Sequence, residues 1–90
     1  MEGPVITVDV SKGSCHYQPF LENDHPMRKP KMLDDTIEGF SRIPRLIEDM
    51  EKKTDVKSLP VVFEATGVYH RPLQKYLQDQ GIPYYIISPL

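Results

Sequence analysis

Two acids stand where chemistry is expected: Asp9 inside Val5-Ile6-Thr7-Val8-Asp9-Val10, and Glu64 closing Val61-Val62-Phe63-Glu64. Both runs are otherwise apolar or β-branched, and a charge in such a strand is costly unless it is paired, hydrogen-bonded or metal-bound. A right-handed crossover between the two strands would make them parallel neighbours, with both carboxylates toward the carboxyl ends, where open α/β sheets bind their ligands. Neighbouring strands stand about 4.8 Å apart, so the two acids can share one hard cation. Without a metal or a proton between them, charges that close repel. This is the beginning of a divalent-metal site for phosphoryl transfer, with Asp9 and Glu64 as catalytic and metal-binding residues. Two acids do not complete such a site, so further ligands are expected beyond residue 90.

The elements that must position these acids follow from pattern and punctuation. After the strand at 5–10, Ser11-Lys12-Gly13-Ser14 supplies a turn, and His16 to Leu21 returns antiparallel. Met27 to Leu33 is a third strand, broken by Pro30 and suited to a sheet edge. Asp35-Thr36-Ile37-Glu38 has the form of a capping box with Asp35 as the cap. Ile37, Phe40, Ile43, Leu46, Ile47 and Met50 recur at helical spacing; Pro44 either kinks one helix, the preferred reading, or lies in the first turn of a main helix that restarts at Ser41. A strand at 59–64 follows, whose unalternating apolar run suits a central parallel strand covered on both faces. Thr66 or Gly67 then caps a helix over 68–80, with Pro72 in its first turn and Gly81 at its end. Residues 84–87 form the last strand. The order is β-β-β-α-β-α-β, a meander and then parallel crossovers, with no internal repeat.

Ninety residues with a formal charge of −2 make one small domain or part of one, and lack the basic footprint of a stand-alone nucleic-acid module. The last strand-like run lies so near residue 90 that residues 1–90 read as the N-terminal part of a single, larger α/β domain. Cys15, the one cysteine, has no partner for an internal disulfide, which suits a reducing cytoplasm. No signal peptide or run of membrane-spanning length is present, so a cytoplasmic chain without a membrane partner is expected.

Val8-Asp9-Val10-Ser11-Lys12 resembles the opening motif of the DEDD insertion-sequence transposases (the insertion-sequence one-ten family), which includes the pilin-gene-inverting recombinases. Glu64-Ala65-Thr66-Gly67-Val68-Tyr69-His70-Arg71-Pro72-Leu73, with Gly81-Ile82-Pro83 through Ser88-Pro89-Leu90, is similar to that family's second block. The resemblance implies a RuvC-like, RNase H-like fold whose mixed sheet runs third, second, first, fourth, fifth strand, truncated before the domain's end. It implies Mg2+ (or Mn2+) at Asp9 and Glu64, DNA strand cleavage and transfer in transposition, and DNA and an element-encoded guide RNA as partners. A homo-oligomer is expected because a truncated sheet exposes apolar surface. The fragment alone would be inactive. Lys12, Thr66, Gly67 and Arg71 are then candidate nucleic-acid contacts.

Two other functions fit the same acids. A nucleotide-binding domain of the sugar-kinase and actin type also opens with an aspartate-bearing strand, a hairpin and a helix. It normally carries a glycine-rich phosphate turn after the aspartate, of which Ser11-Lys12-Gly13-Ser14 is a poor version. A non-catalytic interaction module would retain the acids without using them. His16 and His25 lack metal-ligand spacing and read as structural. Cys15 has no nucleophile pattern around it and reads as an inert thiol.

Overall fold

The computed structural model describes residues 3–22, 25–65 and 67–87. Its framework is a mixed sheet. Strand β1 (Val5–Ser11) turns back through Lys12-Gly13 into β2 (Ser14–Glu22), and Gly13 takes φ +77° at the second turn position. Only glycine adopts that angle without strain, which explains its place in so short a turn. Two short pieces then pair with β2: β3 (His25–Pro26) and β4 (Lys31–Asp34). The single third strand expected over 27–33 is therefore two pieces, with the prolines at 26 and 30 limiting how far either ladder can run.

Next come α1 (Ile37–Phe40) and α2 (Arg42–Thr54), then β5 (Val61–Glu64), α3 (Arg71–Gln80) and β6 (Tyr84–Ile87). The sheet order is β3-β2-β1-β5-β6, with β4 beside β3 on the free side of β2. The β1–β5 and β5–β6 pairs are parallel and the others antiparallel. The chain is thus a mixed α/β domain, as its pattern predicts.

Four local expectations need correction. Thr36, not Asp35, caps α1, its Oγ1 accepting from the Gly39 amide at 3.1 Å. The segment after it is two helices, the restart at Ser41 rather than the preferred single kinked helix. They break at Ser41, so Pro44 is the third residue of α2, where its missing N–H would have been unsatisfied anyway. Ile37, expected on the buried face, is 74% exposed. Helix α3 begins at Arg71 with His70 as its cap residue rather than near 68, because Gly67 at φ +59° and the turn through His70 delay it. The capping expectation for Thr66 lies outside the described residues.

One face of the sheet holds the core. Ile6, Val8, Val10, Cys15, Tyr17, Val61 and Phe63 pack against Phe40, Ile43, Leu46, Met50, Leu73 and Leu77 from all three helices. Both crossovers advance in the same direction, β1 to β5 and β5 to β6, so the right-handed rule sends all their helices to one side. The opposite face carries no helix among the described residues, which corrects the expectation that β5 is covered on both sides.

Candidate functional site

The open face is read from register. Across β1 and β2, Thr7 faces Gln18 and Asp9 faces His16. On the other side of β1, Thr7 is level with Val62 and Val8 with Phe63, which puts Glu64 one step on, level with Asp9. Partners at one register position share a face, so His16, Asp9 and Glu64 form a row across three strands, with Ile87 of β6 beside Glu64. The row is exposed and borders a shallow concavity of about 760 Å³ with Thr7, Gln18 and Val62 below it and Pro30 at the rim.

Alternation builds this arrangement. In β1 the apolar residues Ile6, Val8 and Val10 go to the helices, which turns Thr7 and Asp9 outward. In β5 Val61 and Phe63 go inward, leaving Val62 and Glu64 on the open face. The Asp9 and Glu64 side chains make no hydrogen bond or ion pair with any of the described residues. No group of three His, Cys, Asp or Glu side chains among the described residues is close enough to hold a metal. The acids alone can supply two oxygen ligands, which suits a hard cation.

The other sequence candidates lie elsewhere. Lys12 is exposed in the hairpin turn, Gly67 is exposed in the turn after β5, and Arg71 is the exposed first residue of α3; none borders the concavity. His70 is half-buried against Phe63, ring centroids 6.1 Å apart, and its Nδ1 is buried without a partner among the described residues. His16, read from the sequence as structural, stands opposite Asp9 on β2. The signal was available: counting back from the two-residue turn pairs Ser11 with Ser14, Val10 with Cys15 and Asp9 with His16.

No protein-family model matches the chain, and no curated protein matches it. Among solved structures of similar shape are two of Ppx/GppA family proteins from Aquifex aeolicus. One is described as a structural study of the PPX-GPPA enzyme, at 11% identity and TM-score 0.42, covering 99% of this chain and 37% of that one. The other, the crystal structure of the Aquifex aeolicus family member, stands at 9% identity and TM-score 0.37, covering 99% of this chain and 36% of that one. The chain thus spans little more than a third of either structure, and an overlap this loose assigns it neither family nor activity.

The transposase expectation is corrected by the same comparisons. No transposase family model matches, and the structural neighbours are Ppx/GppA proteins rather than insertion-sequence transposases. DNA recombination as the function falls with it; these comparisons do not bear on a DNA or guide-RNA partner, or on Lys12, Thr66, Gly67 and Arg71 as nucleic-acid contacts. The residues that suggested it have a simpler origin. Glu64 to Leu73 divides into a strand end, a turn with a left-handed glycine, and a helix start with proline in its first turn. Any β-turn-α unit can favour that succession of residue types.

Cys15 is a buried thiol on the helix-covered face, between Val10 and Leu33 in register. Burial first, and the nearby Asp35 carboxylate second, push its pKa from 9.0 up to about 11. Burial likewise raises the pKa of Asp35, whose Oδ1 has no partner among the described residues. The neutral thiol is the form the fold favours. Its stabilising contribution is complete below pH 9.0 and disappears as pH rises to about 11, because the unfolded chain ionises first. Denaturation midpoints should fall across that interval in the wild-type chain and stay flatter in Cys15→Ala; parallel pH profiles would disprove the assignment.

Proposed function

We propose that this chain is part of a phosphate-binding α/β domain of the sugar-kinase and actin type, which holds a divalent cation and the phosphate groups of a nucleotide or related ligand. The finer fold assignment, an RNase H-like sheet, belongs to the same proposal. One observation carries it: Asp9 and Glu64 stand level and unpartnered among the described residues, at the carboxyl ends of adjacent parallel strands, on a face that no described helix covers. Supporting it is the order of a hairpin with an aspartate on its first strand, then helices, then a parallel strand beside the first.

Bound Mg2+ or Mn2+ would neutralise phosphate charge and stabilise charge developing on transferred oxygens. The carboxylates would hold the cation, and the row beside them would orient the ligand. In the whole protein we propose phosphoryl transfer or phosphoanhydride hydrolysis as the activity and the cytoplasm as its place. Among the described residues no helix is long and apolar enough to cross a membrane.

The test is Mn2+ binding by the 90-residue chain, followed by electron paramagnetic resonance of the free ion. Wild type should bind, and Asp9→Asn and Glu64→Gln should each weaken binding on the order of 100-fold, with more lost in the double variant. Equal affinity in wild type and variants would remove the site.

A further inference from the structure

A phosphate held on a cation at Asp9 and Glu64 also needs hydrogen-bond donors, and the structure narrows where they come from. The hairpin turn after Asp9 consists of Lys12 and Gly13 alone, too short for a loop of backbone amides to wrap a phosphate. On the open face the Thr7 hydroxyl donates to the Gln18 carbonyl at 3.4 Å, and Gln18 Nε2 donates to the Arg28 carbonyl at 3.2 Å. Both side chains are engaged in holding the sheet and the loop beyond it. His16 is different. It is exposed, directly opposite Asp9, and makes no hydrogen bond or ion pair with the described residues.

Its position also says what it does not do. His16 and Glu64 flank Asp9 from opposite sides, two strand spacings or about 10 Å apart at the backbone. That separation fits the absence of any described trio able to ligate one metal. An imidazole on the far side of Asp9 would stand beside the ion's ligands, toward whatever the ion binds.

We infer that His16 is the phosphate-contacting residue of this site, its ring N–H donating to an oxygen of a phosphate or diphosphate group held on the Asp9–Glu64 cation. The inference rests on the cation reading above and adds the side chain that recognises the anion. Whichever ring nitrogen carries the hydrogen, the neutral ring keeps one donor, so the contact needs no change of charge.

The test separates ion from anion. Mn2+ affinity, and then pyrophosphate affinity at saturating Mn2+, are measured for wild type, His16→Ala and His16→Gln, with circular dichroism melts to confirm folding. The expected result is Mn2+ affinity within about twofold in all three, pyrophosphate binding roughly 10-fold weaker in His16→Ala, and most of that loss recovered in His16→Gln, which keeps an N–H donor. Unchanged pyrophosphate binding in His16→Ala, while wild type binds both probes, overturns this inference and leaves the cation site standing. A large loss of Mn2+ affinity in His16→Ala makes the histidine a metal ligand and overturns it too, as does a Mn2+-loaded wild type that ignores pyrophosphate. A wild type that takes up no Mn2+ overturns the cation reading together with this one.

Discussion

Replacing Gly39 with alanine should lower the melting temperature of this chain by roughly 5–15 °C, although alanine is the better helix former. A Cβ at position 39 would fall on the carbonyl oxygen of Asp34, 3.0 Å from its carbon and 3.1 Å from its nitrogen. These are backbone atoms at the end of β4, so no rotamer change relieves the overlap. Either α1 lifts off the strand or β4 shifts against β2. Overpacking of this kind costs about 1–3 kcal/mol and sometimes more, whereas the gain in helix propensity is about 1 kcal/mol. The clash wins because the obstacle is main chain. Each kcal/mol moves the midpoint of a domain this size by about 4–8 °C. Glu38→Ala, one residue away and exposed, is the control and should melt within about 3 °C of wild type. A Gly39→Ala chain that melts with the control would mean that α1 does not rest on β4.

Gly39 also shows where sequence reading stops. The pattern from Ile37 to Met50 announces a helical face, and within it a glycine looks only like a weak point. What makes it necessary is the tight turn from β4 into α1, which brings Gly39 back onto the Asp34 main chain five residues upstream; helical periodicity does not encode that approach. The same holds for the break at Ser41. Periodicity runs through it unchanged, because the apolar residues on both sides serve one sheet face, so a single helix was the natural inference. Conversely, the hairpin was legible because its two strands flank a turn that only Lys12-Gly13 could make, with φ +77° at the glycine. Strand β5 was legible from its apolar run, two residues shorter at its start than expected since Pro60 offers no amide to the ladder.

For the site, crossover handedness was enough to place Asp9 and Glu64 on neighbouring strands. Which residues join them depends on register, a single number fixed by turn length. A one-residue slip in the hairpin would turn His16 to the helices and bring Cys15 or Tyr17 beside Asp9. The resemblance to a transposase drew on residue types around Asp9 and Glu64 and carried no register, so it could not bring His16 level with Asp9. A face rich in polar groups that no described helix covers, backed by a face rich in aliphatic ones, is the arrangement that register produces here.

Phe63→Ala should be the most damaging single substitution on the strand that bears Glu64, at about 3–5 kcal/mol. Phe63 is 1% exposed, one of the largest fully buried side chains, and level in register with Val8 on one side and Ile86 on the other. Its ring stacks on Tyr84 at 5.8 Å and lies 6.1 Å from His70, so it ties β5 to the last strand and to the start of α3. Truncation would leave a cavity bounded by three elements that cannot all close on it. Because inward Phe63 and outward Glu64 are consecutive, the same ring fixes the face on which the acid stands. Phe63→Leu keeps most of the volume and should cost less than about 1.5 kcal/mol, with Mn2+ affinity retained. Urea denaturation of both variants, with Mn2+ titration of the leucine variant, reads the two roles separately. An alanine variant that loses under about 1.5 kcal/mol would show that β5 is held by its ladders alone. A leucine variant that is stable but has lost Mn2+ affinity would show that Glu64 does not depend on strand register in the way its geometry requires.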